Sequence, residues 1–222
     1  MSNRSIHTLL KNWDEECPLT REEAVEVLNL PAEEMDSLME CAYALRTKYK
    51  GKKVSVQLLT NVRSGNCTQN CAYCAQSKDS QAEIEKYKRV SDEKLYGDND
   101  LVDEKHLARH CIGLSGIGFS DEEIEDLADR IREMKKKDTQ ICCSIGFLTE
   151  KQARILKDAG LDRINHNLNS SRSFYPEICT THTYDQRVNN IKMLQSLGFE
   201  ICSGGIVGMG ESKEDIVDML MD

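Results

Sequence analysis

The 222-residue sequence has no apolar run near the roughly 18 residues that a membrane helix requires, so no membrane-spanning segment is expected. Positive charge is also in short supply: 29 Lys and Arg face 38 Asp and Glu, a net charge of −9. A nucleic-acid partner needs a basic face for its phosphates, and the short run Lys135, Lys136 and Lys137 adjoins acidic residues, so no such partner is expected. Proline is scarce, with 3 residues, and there is no low-complexity tract or internal repeat. The remaining composition, 39% apolar and 30% charged, is that of an ordinary globular domain long enough to build one core. Residues 1–16 lack an apolar centre and carry acids, which argues against a signal or transit peptide and points to the cytoplasm.

What is plentiful is cysteine. Ten thiols in a cytoplasmic chain are not expected to form a disulfide framework, because that compartment keeps thiols reduced. Metal binding, catalysis or plain burial must account for them.

Residues 1–50 read as an N-terminal helical extension. Thr20-Arg-Glu-Glu is a capping-box pattern, and a second helix is expected from Pro31 to Tyr49 with Met35, Leu38, Met39, Ala42 and Leu45 on one face. Gly51 stands where a C-terminal cap belongs. From 51 to 222, strand-like and helix-like segments alternate. Strands are expected at 54–60, 110–114, 140–145, 163–168 and 200–207, with helices at 121–136, 149–158, 184–197 and 212–221. That order predicts an α/β fold with a parallel sheet: a partial (β/α) TIM-type barrel of about five strands. Residues 95–103 fall where a crossover helix is due, yet read as a turn. A barrel that stops at five strands has an unpaired edge, so the chain reads as incomplete.

Just after the first strand, Cys67, Cys71 and Cys74 place three thiols within eight residues. Soft thiolates at this spacing suit zinc or an iron–sulfur cluster. A zinc knuckle wants a fourth ligand close by, and the next candidate is as far off as His106. Three ligands without a fourth suggest a site left open to something else. Cys-x3-Cys-x2-Cys, with Tyr73 before the third Cys, resembles the signature of the radical S-adenosylmethionine (SAM) family. The resemblance implies a 4Fe-4S cluster on Cys67, Cys71 and Cys74 whose free iron is chelated by SAM. It also implies one-electron cleavage of SAM to a 5′-deoxyadenosyl radical that abstracts hydrogen.

Three further segments resemble the biotin synthase branch of that family: Ala-Gly-Leu-Asp-Arg-Ile-Asn-His-Asn-Leu-Asn-Ser at 159–170, Phe174-Tyr175 through Arg187, and Ile-Cys-Ser-Gly-Gly-Ile-Val-Gly-Met-Gly-Glu at 201–211. The last also matches the family's G-x-I-x-G-x-x-E pattern. The resemblance implies cofactor contacts from Tyr73, Asn167, Asn169, Arg187, Gly204, Ile206, Gly208 and Glu211, and substrate contacts from Asn165 and Asn167. It further implies a second, 2Fe-2S cluster on Cys111, Cys142 and Cys202, with Arg109 nearby. Strand alternation sends Cys143 to the face opposite Cys142. Cys17, Cys41 and Cys179 match no family ligand and read as packing or surface thiols, and His166 as a hydrogen-bonded core residue.

The activity so implied is sulfur insertion into dethiobiotin, with the second cluster as sulfur source and a flavodoxin or ferredoxin as electron donor. The alternatives are a methylornithine synthase or hydrogenase-maturation type enzyme of the same branch, or a non-catalytic iron–sulfur fragment. A homodimer or a complementing C-terminal chain is a further expectation. The sequence departs from the branch's pattern at Asn169 (commonly Asp), at His182 (commonly Arg) and at Gly116, near a frequent aromatic. A late arginine that ligates the second cluster in the family lies outside these residues, so little biotin is expected from the 222-residue chain alone.

Overall fold

The computed structural model describes residues 19–222; Cys17 and the first 18 residues of the expected helical extension lie outside the description. Along the chain come α1 (Arg21–Leu28), a 3-10 turn (Ala32–Glu34), α2 (Met35–Lys50) and β1 (Gln57–Arg63). Helix and strand then alternate: α3 (Asp92–Glu104), β2 (Arg109–Leu114), α4 (Asp121–Met134), β3 (Ile141–Ser144), α5 (Glu150–Asp158) and β4 (Arg163–Asn165). A short α6 (Tyr175–Ile178), α7 (Tyr184–Ser196), β5 (Glu200–Cys202) and α8 (Lys213–Met221) follow.

Hydroxyl side chains set the helix starts. Thr20, Ser91, Ser120, Thr149, Thr183 and Ser212 each accept from the backbone N–H three residues on, opening α1, α3, α4, α5, α7 and α8. One of these corrects the sequence reading: residues 95–103 are not a turn but the body of α3. Its Ser91 cap, the Lys94–Asp98 ion pair at 2.6 Å and the burial of Leu95 and Val102 outweigh Gly97 and the run of Asn and Asp. The expected helix at 31–49 opens instead with the 3-10 turn. Strand limits also differ. β1 begins at Gln57 and runs on to Arg63, leaving Val54 and Val56 exposed, and β4 and β5 stop at Asn165 and Cys202.

The described residues form two units, 19–54 with 211–222, and 55–210. In the first, Arg21 on α1 grips Asp218 on α8 through two hydrogen bonds of 2.6 and 3.1 Å, and Lys213 donates to Asn29 at 2.7 Å. No residue of α1 or α2 is buried, and Met35 and Met39 on the expected apolar face are 45% and 62% exposed.

The second unit holds a sheet in the order β1-β2-β3-β4-β5, every pair parallel. Side chains alternate between its faces. Thr60, Val62, His110, Ile112, Ile141, Cys143 and Ile164 share one face and are buried. There they meet Leu95 of α3, Ile124, Leu127, Ile131 and Met134 of α4, Leu156 of α5 and Leu194 of α7. Each such aliphatic side chain contributes about 1.5–3 kcal/mol on burial, which makes this the stabilising face. The opposite face carries two rows fixed by register. Leu59, Cys111, Cys142, Arg163 and Glu200 form the lower row; Asn61, Gly113, Ser144, Asn165 and Cys202 form the upper one, toward the strands' C-terminal ends. This polar face is the inner face of a partial β/α barrel.

Candidate active site

The chain leaves β1 through Gly65 and Asn66, both with positive φ (73° and 55°), a left-handed turn that throws the next residues across the sheet's C-terminal edge. Bonds from the Cys74 N–H to the Cys71 carbonyl (3.1 Å) and from the Ser77 N–H to the Cys74 carbonyl (3.0 Å) make successive tight turns there. The Lys78 N–H closes the loop on the Gln69 carbonyl at 2.9 Å. Asn70 straps the loop to the segment after α6, its Oδ1 accepting from the N–H groups of Thr180 and Thr181 at 3.0 and 3.2 Å.

The result is a cleft of about 320 Å³ over the upper row of the sheet. Cys67, Cys71 and Cys74 line it, with Tyr73, Asn165, Asn167, Asn169 and Arg187. Residues far apart in sequence, and expected to serve one cofactor, thus share one cavity. Arg187 of α7 is held by donating from Nε to the Tyr175 hydroxyl (2.5 Å) and from Nη1 to the Asn167 carbonyl (3.0 Å). Asn169 takes positive φ (71°), tolerable for Asn, and its carbonyl accepts from the Ile206 N–H at 2.9 Å. Its own N–H donates to the Gly204 carbonyl at 3.0 Å, so the glycine-rich segment runs parallel alongside. Gly208 ends that segment in a positive-φ turn, and Glu211 belongs to the other unit.

Burial dominates the electrostatics of the loop. Burial pushes the Cys71 thiol up to about 12, with the neighbouring Cys179 adding to the rise, while Tyr73 and the Arg187 guanidinium pull the other way. Burial likewise raises the Tyr73 phenol. His166 and His182 are both held down at about 4, first by burial and then by Arg187, so both are neutral at pH 7. His166 is a buried histidine with a backbone hydrogen bond at Ile145, as the sequence reading had it, while its Nε2 has no hydrogen-bond partner among the described residues.

A single tetrahedral ion with zinc–sulfur bonds of about 2.3 Å holds its sulfurs about 3.8 Å apart. Cys67, Cys71 and Cys74 do not bring their sulfurs within 4.8 Å of one another; among the described residues Cys71, Cys179 and His182 do. As placed, the motif trio is not a single-ion site.

The strand cysteines are split between the two rows. Cys111 and Cys142 are register partners in the lower row, beneath the cleft, and Cys202 sits in the upper row beside Asn165. Cys143 is fully buried on the opposite face, among core residues. A hydrogen bond from Cys142 is the main cause that brings the Cys111 thiol down to about 7, against burial and with help from Arg109. The same bond, with burial, drives Cys142 upward. Arg109 Nε and Nη1 and Arg163 Nε are buried without hydrogen-bond partners among the described residues, although Arg163 also pairs with Glu200. Unpartnered cationic nitrogens around thiols suit an anionic group such as a two-iron cluster. Sequence reasoning missed Arg163, which register alone puts beside Cys142, and Cys179, whose sulfur lies 3.8 Å from that of Cys71.

Comparison with known proteins agrees with this geometry. The chain is 41% identical over 202 residues to biotin synthase of Geobacillus kaustophilus, covering 90% of this chain and 61% of the relative. It is also 41% identical to the Bacillus subtilis biotin synthase and 40% identical to that of Rhodopirellula baltica, covering 60% and 57% of those proteins. It thus spans about 60% of the length of the curated relatives it matches. Among solved structures it superposes on methylornithine synthase with a TM-score of 0.82 at 16% identity, over 96% of this chain and 62% of that one. On the FeFe-hydrogenase maturase HydG of Carboxydothermus hydrogenoformans the TM-score is 0.81 at 21% identity, over 96% of this chain and 50% of that one. At such identities these two establish the fold alone. The family model of the radical SAM superfamily matches residues 61–222, from β1 through the three-cysteine loop to α8, and the chain belongs to that superfamily.

Proposed function

We propose that this chain carries the catalytic core of a biotin synthase-like enzyme that inserts sulfur into dethiobiotin. The observation that supports this reading best is the placing of two thiol sets on one face: a loop set in an open cleft, and a strand set whose Cys111 and Cys142 lie one row below, near buried arginine nitrogens, with Cys202 in the row above. Similarity to biotin synthases over 90% of the chain supports it from an independent direction.

In this reading Cys67, Cys71 and Cys74 would hold a four-iron cluster, with the iron that lacks a cysteine left to the amino and carboxylate groups of SAM. When bound, the cluster supplies the electron that splits SAM to a 5′-deoxyadenosyl radical, delivered by a flavodoxin or ferredoxin. Arg187, fixed from two sides, offers a planar cation to the SAM carboxylate. Tyr73, Asn167 and Asn169 with Gly204, Ile206 and Gly208 line the nucleoside, and Glu211 closes the glycine-rich motif. Asn165, whose buried Oδ1 has no partner among the described residues, accepts from the ureido ring of the substrate together with Asn167. Cys111, Cys142 and Cys202 hold the two-iron cluster that donates sulfur, with Arg109 beside it.

The test is anaerobic. Reconstituted, reduced protein is given SAM and deuterated dethiobiotin, and the 5′-deoxyadenosine formed is examined by mass spectrometry. Deuterium in the nucleoside is the expected result. SAM cleavage without label transfer would leave the radical chemistry standing and overturn the substrate assignment.

A further inference from the structure

Cys179 lies outside the three-cysteine motif, and its sequence neighbours gave no reason to single it out. The structure places its sulfur 3.8 Å from that of Cys71. Both thiols are free and buried, at 3% and 8% exposure. The pairing is held by more than chance packing. The Ala72 N–H donates to the Ile178 carbonyl at 2.9 Å, tying together the residues next to each cysteine. Asn70 adds its bonds to Thr180 and Thr181 on the same two segments. Groups also converge on the Cys179 sulfur: the Thr181 hydroxyl at 3.5 Å, His182 Nδ1 at 3.3 Å and Asn70 Oδ1 at 3.6 Å.

Two uses fit such a cluster, a metal ion or a disulfide, and the hydrogen bonds of His182 separate them. Arg187 Nη2 lies 2.9 Å from His182 Nε2, and a guanidinium can only donate. Nε2 is therefore the acceptor and Nδ1 carries the hydrogen, which also suits Gln69 Oε1 at 2.9 Å from Nδ1. The nitrogen facing the two sulfurs is thus an N–H, which cannot ligate a cation. The sulfurs, by contrast, face each other at 3.8 Å and have to close to the bond length of about 2.05 Å.

We infer that Cys71 and Cys179 form a reversible disulfide when the cluster is absent and a peroxide is present, which parks Cys71 in a protected, cluster-incompetent state. One sulfur attacks hydrogen peroxide, the O–O bond breaks, and hydroxide leaves to be protonated by the thiol hydrogen. The resulting sulfenic acid is attacked by the second sulfur, which loses its proton as the S–O bond breaks and water departs. In all, two thiols and one peroxide give one disulfide and two waters. A dithiol reductant reverses the step by exchange. Formation of the linkage needs no cluster; its consequence for cluster assembly rests on the reading of Cys71 as a ligand.

The experiment uses the full chain, isolated without cluster, exposed to a slight excess of hydrogen peroxide, alkylated, digested and mapped by mass spectrometry. The Cys71–Cys179 peptide should exceed any Cys67–Cys71 or Cys71–Cys74 linkage several-fold. Cluster uptake should fall after peroxide and return after dithiol treatment. In Cys179→Ser, Cys71 should instead advance to sulfinic acid and recovery should be lost, whereas Cys41→Ser should behave like the parent. Linkage of Cys71 chiefly within the motif, or protection of both thiols by one equivalent of zinc, would overturn the inference. The linkage map is read on the unmodified chain, so it decides the matter whether or not the variant folds. Failure of the untreated protein to build any cluster would instead count against the proposed function, and the linkage would still appear.

Discussion

The loop thiols and the strand thiols are the same chemical group placed by two different devices. Cys67, Cys71 and Cys74 sit on irregular backbone that keeps its shape through tight turns and the Asn70 strap, and they face an open cleft. Cys111, Cys142 and Cys202 are positioned by strand register, with the sheet itself as scaffold. The loop set is therefore coded by spacing along the chain, and the strand set by parity across it. Cys142 and Cys143 make the point: adjacent in sequence, one joins the polar inner face and the other is lost to the core.

The sharpest way to break this comparison is to remove each thiol singly. Cys67→Ala, Cys71→Ala or Cys74→Ala should abolish the cubane absorbance and the paramagnetic signal of the reduced protein. Cys111→Ala, Cys142→Ala or Cys202→Ala should leave both in place and deplete only the iron assigned to the proposed two-iron cluster. Retention of the cubane in any loop variant contradicts the assignment.

Lowering the pH should expose the buried imidazoles of both regions. His110 lies behind the strand set and is held at about 4 by burial; His166 and His182 line the cleft with similar values. Between pH 6.5 and 4 the unfolded chain binds protons that the folded one refuses, so this contribution to stability is present above 6.5 and lost as pH falls toward 4. By pH 5 the loss should reach about 1–2 kcal/mol per imidazole, read from denaturant midpoints. His110→Gln should flatten the slope, and an unchanged slope would show that this imidazole is not held neutral.

A smaller effect sharpens the cleft side. Arg187→Ala should weaken SAM binding by about 1.5–3 kcal/mol, measured by calorimetry on the reduced protein, through loss of a charge-assisted bond. Equal affinity in parent and variant would remove Arg187 from the cofactor site. The smallest effect contrasts the neighbours on β3. Cys143→Ser should destabilise the fold by about 1–3 kcal/mol without altering iron content, because it buries a hydroxyl in an apolar core. Cys142→Ser should do the reverse, costing little stability and much iron.

Much of the architecture was legible from local signals, because caps and periodicity act over a few residues. The capping box at Thr20 announced α1, and the alternation of strand and helix announced a parallel sheet. Helix α3 was not legible. Its Gly, Asn and Asp residues carry turn propensity, which the burial of Leu95 and Val102 overrides together with the Ser91 cap and the Lys94–Asp98 pair. β4 and β5 are shorter than the expected 163–168 and 200–207: beyond Asn165 and Cys202 the regular ladder gives way to single bonds such as His166 N–H to the Cys202 carbonyl and to the isolated Asn169–Gly205 bridge.

The sequence by itself determined the family, the three thiols of the loop and the alternating order of elements, since each is written in spacings of fewer than about a dozen residues. Only the tertiary structure decided that Cys179 faces Cys71, that Arg163 lies beside Cys142, and that Arg187 fixes the hydrogen of His182. Those relations depend on backbone register and on bonds between residues up to 108 positions apart, and no local pattern of side chains encodes them.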